Sequence, residues 1–186
     1  FGGDRPELVL VNPISADLDA MRPSVLPNLI TAAGRNVDRG FADTGLFEIG
    51  PQYADDTQGG QAMVAAGVRR GDFTTRNWAG DARSVDAFDA KADALAALAE
   101  CGAPVANLQV STPGPDWYHP GRSGVLTLGP KNRLAAFGEI HPRVLQALDV
   151  TGPLVGFEVY LDAVPPAKAK RSKNRPPYNV SDLPAV

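Results

Sequence analysis

The sequence predicts an α+β fold in which a mainly antiparallel sheet is flanked by helices. Two segments of ten or more residues carry apolar side chains at helical spacing, and several shorter apolar runs have the length of strands. Two of those runs are separated only by a short glycine- and proline-containing turn, which is typical of a hairpin. Helices and strands do not alternate regularly, so the pattern does not indicate a parallel βαβ arrangement.

The first fifty residues predict a strand, a turn, a helix and a second strand. An apolar run at 8–11 ends at Asn12-Pro13, because proline cannot donate a hydrogen bond to a sheet. The helix is expected to have Ser24 as its N-cap and to end at Gly40 in the left-handed conformation. One apolar stripe marks its predicted buried face, namely Leu26, Leu29, Ile30, Ala33 and Val37. Residues 46–49 then return as a short strand.

The middle of the chain predicts a turn, a central strand, a loop and a second helix. Residues 51–60 have the composition of a flexible turn, and 62–68 form an apolar run expected to be covered on both faces. Residues 69–80 are polar and predict a loop. The second helix ends at Gly102, and its predicted buried stripe is Val85, Phe88, Ala92, Leu95, Ala96 and Ala99.

The last third predicts mainly strands. The expected elements are a strand at 105–110, a loop at 112–121, a hairpin of 124–128 with 134–139, a short helix from His141 to Leu148, and a strand at 154–161. Residues 1–164 are expected to form one domain. Residues 165–186 are rich in proline and basic residues and predict a linker toward a further domain.

Composition narrows the class of protein. The chain has 186 residues, a net charge of −3 and a pI near 5.3, which excludes a globally basic protein that wraps nucleic acid. A single cysteine, Cys101, cannot form an internal disulfide, which fits a reducing compartment. No apolar run approaches the ~20 residues of a membrane helix. We therefore expect a cytoplasmic protein without membrane contact, and a first residue other than Met suggests a piece of a longer polypeptide.

Three ordered blocks of sequence carry a family resemblance. The first runs from NPIS at 12–15 through MRPSVLPNLI at 21–30 to LFEIG at 46–50. The second is PGRS at 120–123, and the third is FGEIHP at 137–142, followed by the strand GFEV at 156–159. Together they span most of the chain and resemble the beta subunits of bacterial phenylalanine–tRNA ligases. The resemblance implies the antiparallel sheet of class II aminoacyl-tRNA synthetases, flanked by helices.

Two positions that hold charge in catalytic class II subunits lack their arginines here. Forming an aminoacyl adenylate requires groups that stabilise negative charge on phosphorus. One arginine should follow the aromatic residue that ends the strand matching 46–53, but Tyr53 is followed by Ala54, Asp55 and Asp56. The other should open a helix after the last strand, where residues 161–166 contain no arginine. The predicted module is therefore not catalytic.

The resemblance implies the partners and cofactors of the complete enzyme. It implies a catalytic alpha subunit, a heterotetramer of two alpha and two beta subunits, tRNA, and ATP with magnesium for the holoenzyme. We expect no cofactor and no catalytic residue in this chain. A Cys and His metal site is not indicated by two histidines and one cysteine. Contact with tRNA, or solvated charge alone, is the expectation for the linker residues Lys168, Lys170, Arg171, Lys173 and Arg175.

Five residues are candidates for a structural role or a vestigial pocket. Arg22 is expected to bridge to a carboxylate such as Glu48. Arg122 is expected to fix a loop or an interface, and Glu139 to be a polar pair partner or a remnant of a site. His141, at a helix start, is expected to make an orienting hydrogen bond.

Three alternatives remain open on sequence alone. The chain could be a free-standing class II-like amino-acid-adenylating amide ligase that recruits Arg69, Arg70 or Arg76 for phosphate. It could be a tRNA-binding piece that acts through its linker. Cys101 could be a nucleophile, although burial is the expectation at the end of an apolar helix. For an assembly module, the candidate interface anchors are Trp78, Trp117 and Tyr118.

Overall fold

A computed structural model describes residues 1, 5–15, 18–74 and 76–166. The helices are α1 (Leu26–Asp38), α2 (Ala87–Glu100) and α3 (Pro142–Ala147). The strands are β1 (Thr44–Tyr53), β2 (Gln61–Arg70), β3 (Asp72–Thr74), β4 (Arg83–Ser84), β5 (Gln109–Ser111), β6 (Tyr118–Leu128), β7 (Asn132–Ile140) and β8 (Val155–Tyr160). Every strand pairing among the described residues is antiparallel, which confirms the predicted fold class.

The sheet places the last strand at its centre. Six strands lie in the order β1-β2-β8-β7-β6-β5, and β3 pairs with β4 in a separate two-stranded ribbon. The chain returns after α3 to insert β8 between β2 and β7. Because side chains alternate between the two faces of a strand, each residue of β8 faces one of two cores.

The two faces of the sheet carry separate hydrophobic cores. On the α1 face, the buried side of α1 (Leu26, Leu29, Ile30 and Ala33) packs with Val64, Ala66 and Val68 of β2. On the α2 face, Ala90, Ala94 and Leu98 pack against Leu134, Ala135, Val155 and Val159. Within residues 62–68, Val64, Ala66 and Val68 are buried on the α1 face as predicted, whereas on the α2 face Ala65 packs against the core but is only partly buried.

The start of α1 differs from the prediction. The helix begins at Leu26 with Val25 at the N-cap position, and Val25 makes no side-chain cap. Ser24 lies one residue earlier, where its Oγ accepts from the Leu26 N–H at 3.2 Å. Gly40 has a φ of +89° and ends the helix as predicted.

The buried face of α2 was predicted incorrectly. Phe88 is 75% exposed, and Ala92, Ala96 and Ala99 are also exposed, although Val85 and Leu95 do contact the core. The side that packs on the sheet is Ala90, Ala94 and Leu98, a second apolar stripe of the same helix. An alanine-rich helix presents two apolar faces of similar size, so its periodicity does not select one.

Cys101 is exposed, which contradicts the predicted burial. The buried stripe of α2 runs at four-residue intervals, from Ala90 through Ala94 to Leu98, so the next position on that side is Gly102 rather than Cys101. Gly102 has a φ of +80° and ends the helix as predicted.

Two strand predictions and two loop predictions also need correction. Residues 8–11 do not form a strand, since Pro6–Leu8 is a 3-10 turn and Val9 makes one isolated bridge to Ala20. Residues 105–110 begin with the 3-10 turn Val105–Asn107, and only β5 follows as a strand. The loop predicted at 69–80 contains the end of β2 and β3, and β6 starts within the loop predicted at 112–121. The 124–128/134–139 hairpin is confirmed as part of β6 and β7.

Candidate functional site

A buried carboxylate lies at the centre of the α1 face. Glu158 of β8 is 1% exposed and pairs in register with Ala66 on one side and Ala136 on the other. Ala66 in turn pairs with Glu48 of β1, so one row across the sheet contains two glutamates with alanine between them. The small alanine side chains leave room above the sheet for the groups that contact Glu158.

Three donors surround the Glu158 carboxylate. The Ser24 hydroxyl donates to Oε1 at 3.1 Å, and the Trp117 indole N–H donates to Oε2 at 2.9 Å. The Tyr118 hydroxyl lies 3.4 Å from Oε2, a longer contact. These donors come from the entry to α1 and from the start of β6. Glu158 therefore connects the helix, the loop before β6 and the central strand.

Burial shifts the proton equilibria of this cluster. Desolvation raises the pKa of Glu158, although hydrogen bonds from Trp117 and Ser24 oppose the shift. The pKa of Tyr118 is raised well above its ordinary value, first by burial and then by the Glu158 charge. Tyr160 is shifted upward for the same two reasons, so its pKa also lies above the ordinary tyrosine range. Both phenols therefore stay protonated at neutral pH.

The raised pKa of Glu158 gives a testable pH dependence. Its ordinary value is 4.5, and the folded state holds the proton more tightly than the unfolded state. Above pH 4.5 the folded state therefore binds more protons, and stability falls as pH rises toward the folded-state pKa. We expect wild type to lose stability relative to Glu158→Gln as pH rises from 4.5, measured by urea unfolding. A difference that stays constant with pH would contradict this expectation.

Arg22 and Glu48 form the contact proposed from sequence. Arg22 Nη1 lies 2.6 Å from Glu48 Oε1, and Arg22 Nε donates to the Pro51 carbonyl at 3.0 Å. The guanidinium lies directly over Gly50, where an added Cβ would overlap Arg22 Nη2. The arginine thus fixes the start of α1 to the edge strand, and glycine at position 50 makes room for it.

Gly50→Ala is expected to destabilise the chain by about 1 kcal/mol or less, because the new methyl group displaces the flexible, partly exposed Arg22 side chain from Glu48. Gly45→Ala is the matched control on the same strand, since its Cβ would meet only Arg69 Nη1 at 3.8 Å. Thermal and urea unfolding of both variants measure the difference. Equal stabilities for the two variants would show that Arg22 does not depend on the space at Gly50.

The other predicted residues lie on the opposite face. Glu139 pairs in register with Val155, whose side chain belongs to the α2 core. Arg122 binds Glu139 through Nε and Nη2, at 2.5 Å and 2.8 Å. β7 lies three strand spacings from β1, about 14 Å. The structure therefore does not bring Arg122 and Glu139 together with Arg22 and Glu48, and a vestigial role for any of them remains a prediction.

His141 acts as the N-cap of α3, where its Nδ1 accepts from the Arg143 N–H at 3.1 Å. Its ring lies 6.3 Å from that of His119, whose Nδ1 accepts from the Gly121 N–H. The orienting hydrogen bond expected for His141 is therefore present. The predicted linker residues Lys168, Lys170, Arg171, Lys173 and Arg175 lie outside the described residues.

A hollow of about 270 Å³ lies where β1 ends and β2 begins. Phe1, Arg5, Gln52, Tyr53 and Trp117 are among the residues that line it. The Phe1 ring stacks on Trp117 with centroids 5.5 Å apart, and Arg5 donates to the Ala54 carbonyl. Arg5 is the one guanidinium among its lining residues, and a backbone carbonyl already engages that group.

In the acidic turn beside this hollow, the Asp55 side chain accepts hydrogen bonds from within the turn. Asp55 Oδ1 accepts from the N–H and the hydroxyl of Thr57, at 2.8 Å and 2.5 Å. These hydrogen bonds lower the pKa of Asp55, with a small further effect of the Arg5 charge. Among the described residues, no group of three or more His, Cys, Asp or Glu is placed to hold a metal ion.

The arginines considered for an adenylating enzyme do not converge. Arg69 binds both oxygens of Asp93, at 2.5 Å and 2.9 Å, and Arg70 donates to the Thr151 carbonyl at 2.6 Å. Adjacent residues of one strand point to opposite faces, so these two cannot grip one phosphate group. Arg76 lies beyond β3 and pairs loosely with Asp81 at 3.8 Å.

Glu158 is the functional candidate that the sequence reasoning missed. Its strand was identified, but the residue was read only as part of the GFEV block. A signal was available, because a glutamate in the middle of an otherwise apolar strand is expected to be paired or hydrogen-bonded. Trp117 and Tyr118 were considered as interface anchors. Tyr118 is 1% exposed, and both side chains contact Glu158, so that interpretation of Tyr118 is wrong.

A family model described as the phenylalanyl tRNA synthetase beta chain CLM domain matches residues 2–161. The chain belongs to this family. The chain is 57% identical over 186 residues to the phenylalanine–tRNA ligase beta subunit of Rhodospirillum rubrum, and 58% identical over 183 residues to that of Paramagnetospirillum magneticum. These alignments cover 100% and 98% of this chain, and 23% of each relative. The chain thus spans about a quarter of the length of the curated relatives it matches, and the resemblance stated from sequence is confirmed.

Two solved structures share the fold of this chain. Two structures of the pyrrolysyl-tRNA synthetase of Desulfitobacterium hafniense superpose with TM-scores of 0.53 and 0.54, at 17% and 18% identity. They cover 83% and 87% of this chain and 50% and 54% of the synthetase chains. The predicted class II synthetase-like sheet is confirmed. None of the helices in the described ranges is long and apolar enough to cross a membrane.

Proposed function

We propose that this CLM domain is a non-catalytic synthetase-like module of a phenylalanine–tRNA ligase beta subunit. It supports assembly with a catalytic alpha subunit, in a heterotetramer of two alpha and two beta subunits, for ATP- and magnesium-dependent charging of tRNA in the cytoplasm. The observation that carries the proposal is the hollow at the end of β1. Its residues bind one another, since Phe1 stacks on Trp117 and Arg5 binds the Ala54 carbonyl.

The charge around the sheet supports the same proposal. A site that forms an adenylate presents several cations to one phosphate group. Here Arg22, Arg69, Arg83 and Arg122 each lie against a carboxylate of the same chain. Binding a triphosphate at any of them would require breaking that pair, which opposes nucleotide binding.

Isothermal titration of the chain with ATP and magnesium, in the presence and absence of phenylalanine, tests the proposal that this chain does not bind ATP. We expect no saturable heat. Saturable binding of ATP would favour the alternative, a free-standing amide ligase that adenylates a small amino acid. Capture of the alpha subunit by the complete beta subunit, compared with a beta subunit that lacks residues 1–164, tests the assembly role. Equal capture by both would overturn it.

A contribution of the linker to tRNA binding is a separate proposal. Five basic residues between 168 and 175 are available for phosphate contacts. Replacing these five by glutamine in the complete enzyme should weaken tRNA retention and reduce its dependence on salt concentration. Unchanged retention and an unchanged salt dependence would show that these five basic residues do not contact tRNA.

A further inference from the structure

A pocket lies between the start of α2 and the strands β5, β6 and β7, away from the hollow at the end of β1. Its volume is about 290 Å³, near the lower end of the range for small-molecule sites, ~300–1,000 Å³. Ala87, Phe88 and Lys91 line it from α2, where spacings of three and four residues place them on one side of the helix. Both layers of the domain, the helix and the sheet, therefore contribute walls to this pocket.

The floor of the pocket is apolar. It is formed by Phe137 of β7, which belongs to the α2 core, and by Val110 of β5, which pairs with a residue of the same core. Gly124 of β6 pairs with Phe137, and a Cβ added to this glycine would lie 2.9 Å from Phe137 Cζ and 3.2 Å from Val110 Cγ1. The two apolar side chains thus approach each other over a position without a side chain. This floor suits an apolar group about the size of one ring.

Two large apolar side chains of the pocket are exposed to solvent. Phe88 is 75% exposed and Val110 is 49% exposed. A stable interface between proteins buries ~800 Å² on each partner, and its centre is apolar. Two side chains do not provide such a surface, so the pocket favours a small ligand over a protein partner.

One charge in the pocket has no partner of opposite sign. Of the three charged residues that line it, Arg122 is bound to Glu139 through Nε and Nη2. Asp86 accepts from two backbone N–H groups at the start of α2 and lies 3.6 Å from Arg83. Within the ranges that the structure describes, Lys91 forms no salt bridge, although its side chain is half-buried. Its ammonium group attracts a single negative charge.

We propose that this pocket binds a small molecule that carries one apolar ring or branched group and one carboxylate. The apolar group packs on Phe137 and Val110, and the carboxylate pairs with the Lys91 ammonium. Apolar contact supplies most of the affinity, and the charged contact fixes the orientation of the ligand. One unpaired cation does not offset the charge of a triphosphate, so nucleotides are excluded. This inference goes beyond the proposed assembly role and does not depend on it.

Alkylation of a cysteine in the pocket tests this inference in the complete enzyme. Cys101 is replaced by serine, and Ala87→Cys places the reporter on the helix wall. Its reaction with iodoacetamide is followed by mass spectrometry of the peptide that contains it, in the presence of 4-methylbenzoate or the uncharged 4-methylbenzamide. The carboxylate should slow the reaction at a concentration about tenfold lower than the amide, because its contact with Lys91 is charged. Binding of a probe elsewhere in the enzyme does not affect this peptide.

Three variants assign the protection to the pocket. Lys91→Gln should abolish the advantage of the carboxylate over the amide, whereas Lys131→Gln, in the exposed turn between β6 and β7, should preserve it. Val110→Trp fills the pocket and should abolish protection by both probes. None of these three side chains is buried, so thermal unfolding of the enzyme should be unchanged.

The other outcomes overturn the inference in distinguishable ways. Equal protection by 4-methylbenzoate and 4-methylbenzamide would show that Lys91 does not select a carboxylate. No protection by either probe up to about 10 mM would show that the pocket does not bind this class of molecule. A reporter that responds to neither probe and reacts more slowly with the alpha subunit present than in its absence would show that this subunit covers the pocket. The first two outcomes leave the proposed assembly function unaffected.

Discussion

Replacing Glu158 by alanine is expected to lower the free energy of unfolding by about 3–4 kcal/mol. The change removes the shared acceptor of the Ser24 hydroxyl, at 3.1 Å, and of the half-buried Trp117 N–H, at 2.9 Å, and it leaves a void where the Glu158 side chain was buried. Each buried donor left unpaired costs about 1–3 kcal/mol, and the cost of burying the carboxylate is recovered in part. Urea denaturation at neutral pH measures the loss.

Glu48→Ala is the matched control for this prediction. Glu48 lies in the same row of the sheet, with β2 between it and β8. Its side chain is 36% exposed, and in the Glu48→Ala variant Arg22 retains its hydrogen bond to the Pro51 carbonyl. A loss of about 1 kcal/mol or less is expected for a pair this close to solvent. If both alanine variants lost the same stability, the Glu158 cluster would have no special role in holding the fold.

Replacing Gly138 by alanine should cost about 3–5 kcal/mol. This glycine of β7 pairs with Ser123 of β6 on one side and with Gly156 of β8 on the other. An added Cβ would lie 2.5 Å from Ser123 Cβ and 2.6 Å from the Arg122 carbonyl oxygen, and the backbone already has a φ of +154°. Since the obstacle is mainly the neighbouring strand itself, relief requires β6 and β7 to separate.

Gly129→Ala separates the steric effect from the cost of the conformation. Gly129 lies in the turn between the same two strands with a φ of +71°, and nothing lies within 4 Å of its added Cβ. Its expected loss is about 1–2 kcal/mol, the cost of a left-handed alanine. Hydrogen exchange of the β6 and β7 amides should increase in the Gly138 variant alone. Unchanged exchange in that variant would contradict the predicted separation of the strands.

Local rules were sufficient where one segment determines its own structure. The stripe of α1, the glycines that end both long helices and the hairpin of β6 and β7 follow from residues close in sequence. The N-cap of α1 did not follow in the same way. Ser24 was expected at the N-cap but lies one residue before it, and its hydroxyl, which accepts from the Leu26 N–H, also donates to Glu158, which lies 134 residues away.

The interpretation of α2 shows the limit of periodicity. Both stripes of this helix are apolar, so the sequence predicted a helix but could not determine its buried side. The side was selected by Leu134, Ala135, Val155 and Val159 of β7 and β8, which arrive later in the chain. The same selection left Phe88 in solvent and Cys101 exposed, contrary to expectation.

The sequence alone determined the family, the antiparallel class of fold and the absence of arginines at two positions, because these depend on residue identity and short-range pattern. The tertiary structure determined which charged side chains lie close enough to pair. It separated Arg122 and Glu139 from Arg22 and Glu48 by placing them on opposite faces, and it buried Glu158 by inserting the last strand at the centre of the sheet. The physical reason is that face and neighbour are set by strand register and strand order, which no single segment of the chain encodes.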